Sequence, residues 1–475
     1  MKVNPNIFRG YDLRGIAGKD LTSEIVEHLG RAHGTYLKRH GITKALVGRD
    51  SRLTSAEYSA SLIKGLNWAG LNTIDIGLNL VGTFYWAQYY LNIKGGAFVT
   101  ASHNPAEYNG FKFAIDFSET LISDGIQELK RLVEQEDYEP GKKLGKNEII
   151  NVKQIYFNDI LKRLPLNKKF KVVIDASCAT AGVIAPELLR QAGCEVIENN
   201  CELDASFPLG TPDPTETVVA ERLSKKVIAA KADLGFSYDP DGDRIGLVDN
   251  SGSIIWNDVL VALFAIDVLN DHPGAKIMFN TLCSKVVTDT IKKYSGQPFM
   301  WRTGHSFLKK KNQEVKAAFI GELSGHFFFS ADFYNHDDGL YSTLRLLNFL
   351  SKTNQTLSSA VNSLPKYVSS PEIKIFCADE KKAALMEKIN VVLKKDFSKA
   401  EVIDDERAGD GVRLNLKEGM FVVRYSQNGP YITIKFEAKT ETQYEKLKNY
   451  IRKLLKDYEE IDRTSRINVN AEALE

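Results

Sequence analysis

Through the first three quarters of the chain, short apolar runs suited to strands alternate with longer stretches of helical periodicity. Ala45-Leu46-Val47 reads as a strand, residues 55–69 as a helix with Leu62 and Leu66 four apart on one face, and residues 73–76 and 96–99 as further strands. The pattern returns at residues 171–175, with a helical run near 184–189, and at residues 276–279, with a helix near 285–293. Alternation of this kind builds α/β units around largely parallel sheets, since a parallel crossover needs a helix to carry the chain back. A length of 475 residues leaves room for three or four domains.

Three strands run straight into polar loops: residues 98–100 into Ala101-Ser102, residues 236–238 into Asp239, and Phe319-Ile320 into Gly321-Glu322. Ligands of open α/β sheets sit beyond the carboxyl ends of strands, so these ends are expected to meet at one cleft. The last hundred residues read differently. Residues 372–376 and 431–436 alternate apolar and polar, with helical patterns at 381–394 and 442–455, which predicts an α+β unit with a half-exposed antiparallel sheet. Residues 363–371, with two prolines and three serines, read as a linker, and the polar tail after Asp462 reads as poorly ordered.

Charge narrows the partners. Lysine and arginine number 62 against 61 aspartate and glutamate, a formal net charge of +1. A balance so near neutral argues against a protein that lives on nucleic acid or on an anionic membrane. The most apolar stretch, residues 259–269, is too short to span a bilayer and contains Asp267. The five cysteines (Cys178, Cys194, Cys201, Cys283, Cys377) form no C-x-x-C pair, which speaks against a zinc ribbon or a disulfide framework. Residues 1–6 carry no apolar signal region, and the expectation is a reduced, cytoplasmic protein.

Four clusters carry candidate chemistry. In Thr100-Ala101-Ser102-His103-Asn104-Pro105 a serine stands just past a buried strand, in a loop stopped by Asn-Pro. No G-x-S-x-G elbow surrounds it, so hydrolase chemistry has no direct support, and a plain turn fits the same residues. In Asp239-Pro240-Asp241-Gly242-Asp243-Arg244, three carboxylates at alternate positions can turn toward one point, a hard-oxygen set suited to Mg²⁺. An EF-hand is excluded because its sixth and twelfth positions fall on Arg244 and Asn250; the competing reading is an acidic surface turn. Gly321-Glu322-Leu323-Ser324-Gly325-His326 offers a carboxylate and a hydroxyl to vicinal sugar hydroxyls, or is an ordinary loop. Upstream, Arg302-Thr303-Gly304-His305 supplies a phosphate or proton-transfer partner in His305, while Lys309, Lys310 and Lys311 read as a solvated helix face. Arg424-Tyr425-Ser426-Gln427-Asn428-Gly429-Pro430, between two strands, reads equally as a phosphate cradle or as a hairpin loop turning at Asn428-Gly429.

Taken in order, these clusters resemble the α-D-phosphohexomutase superfamily, and most of all its bacterial phosphomannomutase/phosphoglucomutase branch, over nearly the whole chain. The likeness starts at Phe8-Arg9-Gly10-Tyr11-Asp12-Leu13-Arg14-Gly15 and continues through Gly48-Arg49-Asp50-Ser51-Arg52, the serine loop and Tyr108-Asn109-Gly110-Phe111-Lys112. Pro212-Asp213-Pro214-Thr215, the aspartate loop, Gly304-His305-Ser306, the Glu322 loop, Asp410-Gly411-Val412-Arg413 and the Arg424 loop complete it. The resemblance implies three related α/β domains with mixed sheets, residues 1–150, 151–252 and 253–366, and a smaller C-terminal α+β domain, residues 367–475, around a central cleft.

It further implies a phosphoserine at Ser102, and a metal held by Asp239, Asp241, Asp243 and a phosphate oxygen on Ser102. Glu322 and Ser324 would bind sugar hydroxyls, and Arg424, Ser426, Gln427 and Asn428 the phosphate that is not reacting. Tyr11, Arg14, Arg302, His305 and His326 would serve the substrate in the cleft, with Lys112 and Arg244 beside the serine and the metal. His305, Lys112 and His103, in that order, are the candidate bases. The implied reaction interconverts hexose 1-phosphate and hexose 6-phosphate, of mannose or glucose, through a bisphosphorylated sugar. Mg²⁺ would be the cofactor, glucose 1,6-bisphosphate or mannose 1,6-bisphosphate the activator, and a monomer or weak homodimer the assembly. Glucosamine phosphate as substrate, a metal-assisted phosphatase and a sugar-phosphate-binding homologue without turnover stay open. Three departures from the family pattern stand out: Gln427-Asn428 for Asn-Thr, Val81-Gly82-Thr83 for a Thr-Pro pair, and Leu282 where a lysine is expected.

Overall fold

A computed structural model describes residues 3–427 and 429–475. Four sheets follow one another along the chain. The first runs Leu13–Ile16, Tyr108–Asp116, Gly95–Val99, Lys44–Arg49, Asn72–Leu78, Asn147–Ile149, with Glu119–Thr120 paired to the side. The second runs Ile254–Ile255, Ile245–Asp249, Leu234–Tyr238, Lys171–Asp175, Glu195–Asn199, and the third Gln297–Trp301, Lys276–Asn280, Phe319–Gly321, Phe327–Phe328.

These three sheets share one device. In each, a buried strand parallel to its inner neighbour turns through a short polar loop and comes back antiparallel. The pairs are Gly95–Val99 with Tyr108–Asp116, Leu234–Tyr238 with Ile245–Asp249, and Phe319–Gly321 with Phe327–Phe328. The loop at each turn is one of the three polar loops singled out in the sequence. The sheets are therefore mixed, and each presents its loop at the carboxyl end of a central strand.

Helices buried on nearly every face hold the units together. Val81–Leu91, Asn257–Asp271 and Gly339–Thr353 are buried along most of their length, within one hydrophobic cluster that spans the first three sheets. The apolar stretch 259–269 is thus an interior helix, and among the described residues no helix is long and apolar enough to cross a membrane.

The fourth sheet is antiparallel throughout, in the order Glu401–Ile403, Gly411–Leu416, Gly419–Tyr425, Tyr431–Ala438, Ile373–Cys377, Ile461–Asp462. Its apolar face (Ile375, Val423, Ile434 and neighbours) packs on the helices Lys382–Asp396 and Glu441–Lys456. The other face was expected to meet solvent, and it does not: Thr433, Lys435 and Glu437 are buried. The third unit supplies partners to Lys435, Glu437 and Arg413, while the Thr433 hydroxyl has none among the described residues. Lys435 donates to Ser370 O at 2.9 Å and lies 3.2 Å from Asp258, Glu437 accepts from Lys285 N at 2.7 Å, and Arg413 donates to Thr281 O and Cys283 O at 2.6 and 2.7 Å.

The tail also departs from expectation. Ile461–Asp462 pairs with Phe376 and Cys377, Val469 exchanges both backbone bonds with Lys374, and Leu474 is buried in the core of the fourth unit. Asn468 and Asn470 add side-chain hydrogen bonds that tie the tail to Phe376, Asp462, Glu372 and Thr217. Within the presumed linker, Val368–Ser369 adds a short pairing to Glu437 and Ala438.

Candidate active site

Ser102 stands at the turn after Gly95–Val99 in the left-handed backbone region, φ 49°, where a residue with a Cβ pays a conformational cost. The turn is held from below by Arg52. Its guanidinium donates to Ser102 O, Asn104 O, Pro105 O and Tyr108 O at 2.5 to 2.9 Å. Ser102 N–H bonds Thr100 Oγ1 at 2.8 Å, and its hydroxyl lies 3.1 Å from both Asp239 Oδ2 and His103 Nδ1.

Asp239, Asp241 and Asp243 are fully buried, and a ligand oxygen of each lies within 4.8 Å of the others. Gly242, at φ 66°, makes the bend that points alternate carboxylates inward. Burial and its two neighbours push the Asp239 carboxyl well above the usual range. Burial also acts to raise Asp243, but Lys112 and His326 overcome it and hold that group below its ordinary value. The Lys112 ammonium, from the return strand of the serine loop, sits 2.9 Å from Asp241 Oδ2 and 2.5 Å from Asp243 Oδ2. Asp241 Oδ1 and Asp243 Oδ1 are buried with no hydrogen-bond partner among the described residues. A closed set of hard oxygens with unspent lone pairs fits a divalent cation.

Arg244 reaches across to the third loop. Its Nε donates to His326 Nε2 at 3.0 Å, and its guanidinium lies 3.8 Å from Asp239 and 3.9 Å from Asp213. Glu322 accepts from Gly304 N–H at 3.0 Å, and Ser324 stands beside it, half-buried at the cleft wall. His305 opens the helix His305–Val315, with its ring stacked on His326 at 4.9 Å and the edge of Tyr11 at 5.2 Å. Both histidines turn Nδ1 to Asp337 Oδ2, at 3.2 and 2.8 Å. Burial pushes the His305 imidazole down to about 3 against the pull of Asp337, so it is neutral at neutral pH.

The fourth sheet closes the cleft. Arg424, Ser426 and Gln427 line it; Asn428 lies outside the described residues. Asp410 gathers Arg302 at 3.0 Å, Gln427 at 2.8 Å and Arg424 at 3.3 Å, so Arg302 braces the loop from outside the cleft wall. Lys382 fixes the loop backbone by donating to Ser426 O at 2.5 Å and Gly429 O at 2.9 Å. Arg14 is buried beside the serine loop, on Asp12 and on Asn104 Oδ1 at 2.6 Å, and lines a second cavity that adjoins the cleft at His103.

Several participants escaped sequence reasoning. Lys309, expected on a solvated face, is buried with its ammonium 3.9 Å from Asp337 and 4.0 Å from the Tyr85 ring centroid; only Lys310 of the run is fully exposed. Its signal was available: it stands four residues after His305, on the same helical face. Asp337 and Lys374 carry no local motif, and Asp213 and Asp410 lay in quoted stretches without a role. Leu282 is buried in the apolar cluster, and Lys285 opens the helix Lys285–Lys293 behind the Ser284 cap. Val81, where Thr-Pro was expected, starts a helix and donates N–H to Asp241 O at 2.9 Å, which braces the aspartate loop.

Three serially arranged α/β units, each delivering one polar loop to a common cleft, define a phosphosugar mutase architecture. The family description phosphoglucomutase/phosphomannomutase, alpha/beta/alpha domain I, matches residues 5–140, and those of domains II and III match residues 154–252 and 256–367. The chain is 40% identical over 451 residues to the phosphomannomutase/phosphoglucomutase of Pseudomonas aeruginosa, spanning 95% of this chain and 96% of that protein. It is 33% identical over 449 residues to a phosphoglucomutase of Neisseria gonorrhoeae, spanning 94% and 96%. Its fold matches the crystal structure of a phosphoglucomutase/phosphomannomutase family protein from Burkholderia thailandensis at TM-score 0.87 and 33% identity, over 96% of this chain and 98% of that one. The chain belongs to the phosphoglucomutase/phosphomannomutase family.

Proposed function

We propose that this chain is a phosphohexomutase that interconverts the 1- and 6-phosphates of glucose and mannose by passing a phosphoryl group through Ser102. The observation that carries the reading is the 3.1 Å approach of Ser102 Oγ to Asp239 Oδ2, at a buried set of three aspartates facing a cleft lined by arginine, histidine and glutamate. A relative 40% identical bears the names of both activities.

In the first half-reaction the P–Oγ bond of phosphorylated Ser102 breaks as phosphorus bonds to the free sugar hydroxyl oxygen, giving a bisphosphorylated sugar. The hydroxyl proton passes to a base lining the cleft, with His305 the candidate by its position there, and Oγ takes a proton in turn. In the second half the intermediate, turned about in the cleft, returns its other phosphoryl group to Ser102. Asp239, Asp241 and Asp243 would hold Mg²⁺, which supplies positive charge to the phosphoryl oxygens. Lys112, paired with two carboxylates, offers charge and not basicity. His103, 3.1 Å from Ser102 Oγ, is placed to handle the serine proton. Glu322 and Ser324 grip sugar hydroxyls, while Arg424, Ser426, Gln427 and Asn428 hold whichever phosphate is idle. Glucose 1,6-bisphosphate or its mannose counterpart primes Ser102.

A coupled assay tests this. With Mg²⁺ and a trace of glucose 1,6-bisphosphate, glucose 1-phosphate and mannose 1-phosphate should each yield the 6-phosphate. Conversion of glucosamine phosphate alone would move the substrate assignment, and release of inorganic phosphate alone would contradict a mutase.

A further inference from the structure

The fourth sheet carries a polar row across three adjacent strands. Lys374 stands directly opposite Thr433, and Thr433 directly opposite Arg424. Opposed residues share a face, with Cβ atoms about 5 Å apart. Ile373, Ile375, Ile432, Ile434 and Val423, at the alternate positions, point to the helices on the far side. The row therefore faces the cleft, and all three residues line it.

The row is polar and underused. Thr433 is 1% exposed, and its hydroxyl has no hydrogen-bond partner among the described residues; neither has Arg424 Nε. A buried hydroxyl and guanidinium N–H left unpaired are costly unless a ligand meets them. The nearest anionic group to the Lys374 ammonium is Asp213 Oδ2 of the second unit, at 3.5 Å, longer than a good charge-assisted bond. Burial opposes the Lys374 charge, but Asp213 and Glu372 outweigh it and keep the ammonium protonated. Gly411 continues the row beyond Arg424, and a Cβ there would strike Val423 O and the Arg424 side chain.

We propose that Lys374, Thr433 and Arg424 form one oxyanion subsite, in which Lys374 and Thr433 are ligands of the sugar phosphate that is not reacting. An ammonium, a hydroxyl and a guanidinium set side by side offer donors to three oxygens of a phosphate monoester. Lys374 then has two partners in turn. It leans on Asp213 when the cleft is empty and turns to the phosphate when substrate enters. This rests on the hexose phosphate reading of the cleft, and it adds two residues to the loop of residues 424–428.

The test uses the full-length protein in a Ser102→Ala background, so that binding is read without turnover. Titration calorimetry with glucose 6-phosphate, and separately with inorganic phosphate, is run on that protein and on its Lys374→Met, Thr433→Val and Asp213→Asn derivatives. Lys374→Met is expected to weaken glucose 6-phosphate binding about tenfold or more, and Thr433→Val about threefold. Asp213→Asn is expected to weaken binding less than Lys374→Met does, since it keeps the ammonium and removes only its partner in the empty cleft. Thr433→Val is near-isosteric and keeps the test alive if Lys374→Met fails to fold. Unchanged affinity in both the Lys374 and Thr433 variants overturns the subsite and leaves the mutase reading standing. Equal losses in Asp213→Asn and Lys374→Met overturn it as well, because Lys374 would then serve only to tie the fourth sheet to the second unit. If hexose phosphates are not turned over by the unmodified protein, yet inorganic phosphate binding falls in Lys374→Met and Thr433→Val, the mutase reading fails and the subsite stands.

Discussion

Lys112 sits among carboxylates that repel one another, and its ammonium neutralises part of what a divalent cation would neutralise. The protein is therefore expected to remain folded when a chelator removes divalent cations, while turnover stops. Lys112→Ala should uncover the repulsion. Its unfolding free energy in EDTA should fall by about 3 kcal/mol or more, with part regained on adding Mg²⁺, as read by denaturant titration in both conditions. A variant whose stability ignores Mg²⁺ would contradict the assignment of the three aspartates. His33 illustrates burial acting on a group with no catalytic part. Its ring donates Nε2–H to Gly96 O at 2.9 Å, Nδ1 is buried without a partner among the described residues, and burial pushes the imidazole down to about 4 from an ordinary 6.5. Between those values the unfolded chain takes a proton that the folded chain refuses. Stability thus rises with pH across this window and is lost as pH falls through it. The slope of unfolding free energy against pH from 6.5 to 4 should be shallower in His33→Gln by about one proton.

At the scale of elements, the first unit depends on two helices that approach through glycines. A Cβ on Gly30 of Ser23–Arg39 would strike Leu62 O, and one on Gly65 of Ser55–Trp68 would strike Glu27 O. Backbone cannot yield as a side chain does, so Gly30→Ala should cost about 2 kcal/mol despite the higher helix propensity of alanine; an unchanged melting temperature would refute the close packing. The same scale shows what the sequence could tell. The strands at residues 45–47, 96–99, 171–175 and 276–279 and the loops after residues 99, 238 and 321 were legible because period and turn chemistry are local signals. The fourth sheet was legible as strands and misleading as a surface. Alternation predicts two faces but not what covers the polar one, and the partners of Lys435, Glu437 and Arg413 come from residues 258–285. The Asp239 loop stood out by composition, while the Ser102 and Glu322 loops read as ordinary turns until the ordered set of motifs gave them a role. Asp337, Lys309 and Lys374 stood out in neither way, because a lone charged residue acquires meaning only from what the fold sets against it.

For the whole molecule, the cleft works only if the fourth unit is coupled to the other three. Arg413 donates to Thr281 O and Cys283 O, Arg302 reaches Asp410, and Thr217 Oγ1 donates to Asn470 Oδ1 in the tail. Arg413→Ala strands two buried carbonyls, so it should accelerate proteolytic cleavage around residues 363–371 and raise KM more than it lowers kcat. Cleavage at the unmodified rate would mean the units are held by apolar packing alone. The central claim, that Ser102 carries the phosphoryl group, has a direct test in single turnover. The protein is phosphorylated with glucose 1,6-bisphosphate, freed of sugar, mixed with one equivalent of glucose 1-phosphate and followed by ³¹P NMR. Glucose 6-phosphate should replace glucose 1-phosphate while the phosphoserine signal is regained at the end of the turnover, without inorganic phosphate, and Ser102→Ala should show neither. Inorganic phosphate in place of glucose 6-phosphate, or turnover in Ser102→Ala, would contradict the mutase mechanism.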